Sequence, residues 1–362
     1  DADLASARSF LSIASNWHNE RGATLAEALL DRLYEEEQSQ LRKNRRNNGN
    51  RPHYSQSQNG DVVEVDSNMY NICMDAWNKS GADGEKIVSR VGAILERMEK
   101  RYSWRCAEFR RHDDPHNRDL ARPDCFGYNC LINAHSKRED DGDDRSDDDE
   151  VGAILDRMDA LAEAAAYSDD AADRAYELRI RPDAVTYNTL MNYHATRTHR
   201  RSSSYAQKAE ELLLRMSELS KPPDNDIEMN VTSFNTVLKA WANCGGGIEG
   251  AQRAESVLRT MIRLSGKGGH ENARPDAVSF STVIGAYSRV DNPDDMPISV
   301  SSVMGLLDEL EGSYLPDSGA ININSCYNAA ANVIVKCGSP KDAAESVKEL
   351  MNRMKNMDAV PD

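Results

Sequence analysis

Five asparagine side chains are the residues of this sequence best suited to recognition chemistry. A primary amide carries both a hydrogen-bond donor and an acceptor, so it can address a partner that offers both. Each amide directly follows a large aromatic residue; the five are Asn71, Asn129, Asn188, Asn235 and Asn328. The aromatic residue serves a hydrophobic core, but a polar residue repeated beside it does not. The repeated amides are therefore the strongest indication of function.

Other residues with reactive side chains lack a supporting context. His112 and His116 have a spacing that could hold a metal on a helix, but Pro115 breaks that helix and favours a loop. His135 and His194 occupy places held elsewhere by tryptophan, which predicts packing residues. There is no Ser/His/Asp or Cys/His arrangement. The sequence therefore predicts no catalytic residue, no metal and no cofactor.

The elements that carry the asparagines are helices whose apolar residues recur at i, i+3, i+4 and i+7. Seven times an aromatic residue is followed seven positions later by a second bulky side chain, as one buried helix face requires. The pairs are Phe10/Trp17, Tyr70/Trp77, Tyr128/His135, Tyr187/His194, Phe234/Trp241, Phe280/Tyr287 and Tyr327/Ile334. A second helix with the same period follows each, often ending on methionine. We expect an all-α, α-α superhelical solenoid of fourteen helices in seven antiparallel pairs.

Repeats that stack in this way share one continuous core instead of forming separate domains. The aromatic residues are spaced 60, 58, 59, 47, 46 and 47 residues apart, against about 34 for compact helical-hairpin repeats. We assign the surplus to polar loops at 39–66, 102–122, 138–149 and 264–274. The predicted repeats are 7–66 (degenerate, with a basic Asn-rich loop), 67–124, 125–183, 184–230, 231–276, 277–323 and 324–362.

Charge and cysteine content restrict the class of protein. The net charge is −16, and the run from Glu139 to Glu150 contributes half of it. We interpret that run as a solvated acidic loop, and the basic residues between Arg42 and Arg51 as a solvated loop too. Bulk charge therefore does not favour nucleic acid. Seven scattered cysteines without a CxxC pair indicate a reducing compartment, and no apolar stretch is long enough to span a membrane. The chain begins without Met, as an excised segment would.

The ends of the repeats carry a resemblance to a known family. Pro-Asp stands four residues before the next aromatic at Pro123-Asp124, Pro182-Asp183 and Pro275-Asp276. Together with the Thr-Tyr-Asn start at 186–188, this resembles the pentatricopeptide repeat (PPR) family over about residues 7–362. The resemblance implies sequence-selective binding of single-stranded RNA, one base per repeat. The asparagine after the aromatic and the last residue of the repeat would then read the base edge.

The resemblance assigns a base preference to individual repeats. Asn71 with Asp124, Asn129 with Asp183, Asn235 with Asp276, and Asn328 with Asp362 resemble uridine-preferring pairs. Asn188 with Asn230 resembles a cytidine-preferring pair. Ser281 with Ile323 fits no standard pair, and neither does Leu11 with Asp66. The implied partner is a pyrimidine-rich single strand.

Two further sets of residues follow from the resemblance. Basic residues near the end of the first helix would contact the phosphate backbone; they are Lys79, Lys137, Arg289 and Lys336. An alternative interpretation is a favourable charge at a helix C-terminus. An apolar residue two places before the aromatic would hold the base faces; the candidates are Phe126, Val185 and Val278.

Two other functions compete with RNA binding. The first is an acidic protein-interaction scaffold resembling tetratricopeptide or HEAT arrays, with partners at the acidic loops. The second is the RNA-binding arm of an enzyme whose catalytic domain lies outside this segment. The same amide in five of seven repeats favours RNA over a peptide groove. The resemblance places the protein in a mitochondrion or plastid, acting in RNA processing, stability or translation.

Overall fold

A computed structural model describes eleven stretches of the chain. They are residues 4–48, 65–109, 122–138, 144–167, 179–197, 203–220, 227–245, 247–266, 271–313, 323–337 and 340–356. Helices and short connections account for all of them, and none of these residues lies in a strand. The prediction of an all-α protein is confirmed. Several residues discussed above lie outside the described stretches; they are Arg51, His112, Pro115, His116 and Asp362.

The chain divides into two compact units, the first of which is Asp1–Pro182. Its helices are α1 (Leu4–Ser15), α2 (Glu20–Asn48), α3 (Ser67–Lys79), α4 (Gly84–Phe109), α5 (Cys125–His135) and α6 (Asp144–Ala166). Each helix packs on the next one along the chain. The odd-numbered helices also pack on one another in order, α1 on α3 and α3 on α5.

The second unit, Asp183–Asp362, repeats this pattern. Its helices are α7 (Ala184–Arg197), α8 (Ser203–Leu219), α9 (Val231–Asn243), α10 (Gly247–Ser265), α11 (Ala277–Tyr287), α12 (Met296–Ser313), α13 (Asn324–Cys337) and α14 (Pro340–Asn356). Short 3-10 helices at Glu271–Ala273 and Pro293–Asp295 precede α11 and α12. Here α9 packs on α7, α11 on α9 and α13 on α11. Each even-numbered helix contacts the odd helix before it and the odd helix after it, except that α14, the last helix, contacts only α13.

The predicted helix faces are the buried ones in this unit. Tyr187, Leu190 and Met191 of α7 are buried, and so are Phe234 and Trp241 of α9. His135 of α5 and His194 of α7 are buried as well, as expected for packing residues. Because each odd helix shares its apolar side chains with the helices before and after it, no single pair encloses its own core.

The buried rings carry polar groups that need hydrogen-bond partners. Glutamates on the preceding even helix supply them at 2.6–2.9 Å: Glu27 for Trp77, Glu99 for Tyr128, Glu210 for Trp241 and Glu311 for Tyr327. Three of these glutamates also form an ion pair with an arginine of the following even helix. The pairs are Arg97 with Glu27, Arg157 with Glu99 and Arg353 with Glu311. Hydrogen bonds and ion pairs through these glutamates thus link consecutive repeats within each unit.

The predicted register of the first repeat is wrong. Phe10 and Trp17 are 58% and 52% exposed, whereas Leu11 is fully buried. Ala7, Leu11 and Ala14 form the stripe that faces α2 and α3, because two alanines let the helices approach closely. The buried position held by an aromatic residue in the other repeats is therefore Leu11, and the following residue is the exposed Ser12.

Three predicted polar loops are partly helical. Helix α2 continues to Asn48 and includes Arg42 and Lys43, α4 continues to Phe109, and α6 begins inside the acidic run at Asp144. The added part of α2 contains Gln, Arg and Lys, which favour helix, and that of α4 carries Tyr102, Cys106 and Phe109 at helical spacing. Acidic residues at the start of α6 and basic residues near the end of α2 also complement the helix dipole.

A close backbone approach at α4 gives a first prediction. A Cβ on Gly84 would lie 2.3 Å from the Lys137 carbonyl oxygen, whereas a Cβ on Gly92 of the same helix would meet only the Leu131 side chain, at 3.8 Å. We expect Gly84→Ala to lower the free energy of unfolding by about 1–3 kcal/mol. Gly92→Ala should raise it by about 0.5–1 kcal/mol through helix propensity. Urea unfolding of both variants measures the difference, and a stabilising Gly84→Ala would contradict the packing.

Buried thiols give a second prediction. Burial raises the pKa of Cys326 from 9.0 to about 11. The folded state therefore holds this proton more tightly, so its contribution to stability is complete below pH 9 and is lost as the pH rises to 11. The loss is at most about 1.4 kcal/mol per pH unit for one thiol. We expect Cys326→Ala to flatten the fall in unfolding free energy between pH 9 and 11, with urea unfolding at pH 8 as the reference. An unchanged slope would show that this thiol does not contribute.

Candidate nucleic-acid interface

The asparagines lie one residue after the buried aromatics, in the first turns of the odd-numbered helices. Asn71 of α3 is only 9% exposed, and Asn129, Asn188 and Asn235 are half-buried in α5, α7 and α9. Asn328 of α13 is exposed. Since every amide has the same helical register, each side chain is placed by the burial of the ring that precedes it.

The residue that closes each repeat caps the helix that follows. Its side-chain oxygen accepts from the backbone N–H three residues later: Asp66 from Met69 at 3.0 Å, Asp124 from Gly127 at 3.1 Å, Asp183 from Thr186 at 2.8 Å, Asn230 from Ser233 at 3.0 Å and Asp276 from Ser279 at 2.8 Å. Aspartate and asparagine are among the best N-caps because they satisfy an otherwise unpaired N–H. The closing residue is thus fixed in position by the start of the next helix.

Two of the predicted base-reading pairs meet directly. Asn71 donates from Nδ2 to both carboxylate oxygens of Asp124, at 3.2 and 3.0 Å. Asn235 donates from Nδ2 to Asp276 at 3.3 Å. These residues are 53 and 41 positions apart in the sequence. The packing of successive odd helices therefore brings the amide of one repeat onto the cap of the next.

The remaining pairs differ from these two. No hydrogen bond joins Asn188 to Asn230 in the part of the chain described, and the Asn188 Oδ1 atom is buried without a partner there. Asn129 belongs to the first unit and Asp183 to the second. Ser281 donates to the Val278 carbonyl at 3.2 Å.

The partners assigned to the last two repeats do not extend this set. Ile323, the residue paired with Ser281 by the sequence, is buried in the core and offers no polar side chain. Asn328 is described, but its partner Asp362 is not.

The apolar residues expected to hold base faces are exposed. Phe126, Val185 and Val278 are 48%, 58% and 57% exposed, three positions before the asparagine register in α5, α7 and α11. A solvent-facing phenyl or isopropyl group at the same place in three repeats is available for contact with a base. Within each unit these side chains stand one turn of helix from the asparagine or serine of their own repeat.

Most of the predicted phosphate contacts are engaged with the protein. Arg289 donates to the Ala242 carbonyl at 2.6 Å and to the Asn243 side chain at 2.7 Å. Lys336 donates to the Ser288 carbonyl at 2.9 Å, and Lys137 donates to the Asn78 carbonyl. Each of these carbonyls lies at the end of the odd helix one repeat earlier. These cations therefore cap the C-terminus of the neighbouring odd helix, a contact that the sequence analysis did not predict.

Lys137 and Lys79 occupy the same position in their repeats but have different partners. Desolvation lowers the pKa of Lys137, and the nearby Asp75 carboxylate opposes that shift. Lys79, in the first of the four repeats that carry such a cation, makes an i,i+4 ion pair with Asp75 at 2.6 Å and stays 47% exposed at its side chain.

Sequence reasoning did not assign the closing residues their capping role. The signal was present, because Ser or Thr follows three residues later at Thr186, Ser233 and Ser279, a spacing typical of a helix start. It also did not identify Arg8, which forms an ion pair with the closing residue Asp66. That contact depends on the shifted register of α1.

The described residues contain no cluster of three or more potential metal ligands. No helix formed by them is long and apolar enough to cross a bilayer. A scan against protein-family models finds no match, and neither does a search of curated proteins. The functional argument therefore rests on the residues and their geometry.

The cross-repeat caps give a third prediction. We expect Arg289→Met to lower the free energy of unfolding by about 1 kcal/mol without any ligand, because it leaves the end of α9 uncapped. Lys79→Met removes a cation of the same register that has only an exposed i,i+4 pair, so its effect should stay below about 0.5 kcal/mol. Urea unfolding followed by circular dichroism measures both. Equal effects would contradict a specific capping role for Arg289.

Proposed function

We propose that this chain binds single-stranded RNA sequence-selectively as a solenoid of PPR type, reading about one base per repeat. The observation that carries the proposal is the direct contact of Asn71 with Asp124 and of Asn235 with Asp276. The packing of successive odd helices brings these positions together, but a core does not require an amide and a carboxylate there. The same pairs are the ones that the family resemblance assigns to base reading.

The chemistry of these pairs supports a preference for uracil. Each Nδ2 group has two protons, and one of them is used by the aspartate, so the second remains for a carbonyl oxygen of the base. The carboxylate accepts about four hydrogen bonds and uses only some of them for the cap and the amide. A carbonyl acceptor beside a ring N–H donor is the pattern of uracil. Asn230 in place of the aspartate adds a donor, which suits the ring nitrogen acceptor of cytosine.

The packing order supports the solenoid. Within each unit, every odd helix contacts the next odd helix. Each even helix contacts the odd helices before and after it, and the last even helix contacts the odd helix before it. Helical repeats that pack in this order are typical of a solenoid. Within each unit, the asparagines, their closing residues and the exposed apolar side chains belong to the odd helices.

Affinity in this proposal does not come from bulk charge. The net charge is −16, and Lys137, Arg289 and Lys336 already bind backbone carbonyls of the protein. We therefore infer that stacking and base-edge hydrogen bonds carry most of the binding, with a modest dependence on salt. The chain acts as a binding module and not as an enzyme, in RNA processing, stability or translation in a mitochondrion or plastid.

The experiment compares a pyrimidine-rich and a purine-rich RNA of equal length in a titration with the whole chain. We expect tighter binding to the pyrimidine-rich RNA, by about tenfold or more, since each base-edge contact is worth about 1 kcal/mol. Asp276→Asn should move the preference at one nucleotide from uridine to cytidine. This substitution keeps the helix cap, because asparagine caps as well as aspartate does and Asn230 already does so here.

Two results would contradict the proposal. One is equal binding of the two RNAs. The other is an Asp276→Asn chain that binds RNA with an unchanged preference at every nucleotide, which would reject the base-reading pair while leaving RNA binding in place. Asp183→Asn is the matched variant in a second repeat, since Asp183 caps α7 in the same way.

A further inference from the structure

One serine contacts both members of a base-reading pair. Ser279 is fully buried at the third residue of α11. Its hydroxyl lies 2.7 Å from the Asn235 Oδ1 atom and 2.9 Å from the Asp276 Oδ1 atom. It also accepts from the Asp276 backbone N–H at 3.2 Å. The serine therefore stands behind the pair, on the side away from solvent.

This contact selects one orientation of the Asn235 amide. With Oδ1 toward Ser279 and Nδ2 toward Asp276, the amide oxygen accepts a hydrogen bond from the serine hydroxyl, and the amide nitrogen donates one to the carboxylate. The flipped amide would place Oδ1 against the carboxylate of Asp276, where two acceptors repel each other. We propose that Ser279 is a positioning residue that holds the Asn235 amide with its donor toward the base, and so sets the selectivity of that repeat. This inference rests on the proposed function.

The equivalent residue does not do this in two other repeats. Gly127 takes the place of the serine beside Asn71, and the Asn71 Oδ1 atom is buried with no partner among the described residues. Ser233 is a serine at the same place, but it binds only the cap Asn230, and Asn188 Oδ1 again has no partner in the described part. Of these three residues, Ser279 alone donates a hydrogen bond to the asparagine amide of the preceding repeat.

The consequence is a difference in selectivity among repeats. An amide held by Ser279 offers a fixed donor, which suits the carbonyl of uracil and not the amino group of cytosine. An amide without that hydrogen bond is held only by its closing residue, so it turns over more readily and discriminates less between the two bases. One neutral hydrogen bond contributes about 0.5–1.5 kcal/mol, which corresponds to about a three- to tenfold change in base discrimination.

The test uses the whole chain, Ser279→Ala and a matched control, Ser233→Ala. Both substitutions remove the hydroxyl of a capping box, but only the first removes a contact with a base-reading amide. The probes are oligouridine RNAs that carry one cytidine at successive positions. The nucleotide read by Asn235 is the one whose preference moves in Asp276→Asn. We expect the cytidine penalty at that nucleotide to fall about three- to tenfold in Ser279→Ala and to stay unchanged in Ser233→Ala.

A gain-of-contact variant guards against loss of folding. A Cβ on Gly127 would lie 3.6 Å from Asn71 Oδ1 and 3.1 Å from the flexible end of Met74. Gly127→Ser would bring a hydroxyl to the unpaired oxygen, and we expect the cytidine penalty at the nucleotide read by Asn71 to rise. An unchanged penalty in both Ser279→Ala and Gly127→Ser overturns the inference.

An RNA-free measurement separates this inference from the proposed function. In the ¹⁵N spectrum, the two Asn235 side-chain amide protons should exchange slowly with solvent in the parent chain and faster in Ser279→Ala. If the parent chain shows no cytidine penalty at any nucleotide, the proposed function fails and the selectivity role fails with it. The exchange rates then still decide whether Ser279 holds the amide. Equal exchange rates in the two chains overturn the positioning contact itself.

Discussion

Each odd-numbered helix from α3 to α11 begins at a side chain that caps its first N–H groups, and the rest of the repeat depends on that hydrogen bond. The cap sets where the helix starts, and the aromatic follows four residues later on the buried face. Once the ring is buried, the next residue must face the edge of the helix row. That residue is an asparagine in four of these five helices.

The cap also connects one repeat to the next. Asp124 and Asp276 each use one carboxylate for two purposes, holding the start of a helix and accepting from an asparagine of the repeat before. Contacts between repeats also occur at the other end of the odd helices, where Lys137, Arg289 and Lys336 donate to backbone carbonyls of the previous repeat. The groups proposed for base reading thus also stabilise the helices, so substitutions at these positions must keep the cap if they are to report on binding.

The buried rings need a similar arrangement. A Trp or Tyr side chain that fills the gap between helices brings a polar atom with it, and a glutamate of the preceding even helix accepts from that atom. An arginine of the following even helix binds several of these carboxylates. Such partly buried charges would be costly alone, and Glu27, Glu99 and Glu311 each gain an arginine as a second partner. The glutamates therefore account for some of the acidic composition through a structural role.

Much of this could be predicted from the sequence, because helical periodicity is a local property. The stripes ending at Trp77, Trp241 and Met261 predicted helices that the structure contains, and their residues are buried as expected. The first repeat was predicted in the wrong register, because an aromatic pair is a stronger pattern than the alanines beside Leu11. The helical extensions of α2 and α6 were missed because polar helices have no apolar stripe to reveal them.

The sequence by itself determined which residue types recur at which helical positions, because ring burial and helix period act within one turn of the chain. Only the tertiary structure decided which distant groups meet. It brought Asn235 to Asp276 and Ser279, left Asn188 without such a contact, and placed Arg289 against the end of a neighbouring helix. These outcomes depend on atoms that come within hydrogen-bond distance although their residues are more than forty positions apart in the sequence. No local sequence pattern encodes such a contact.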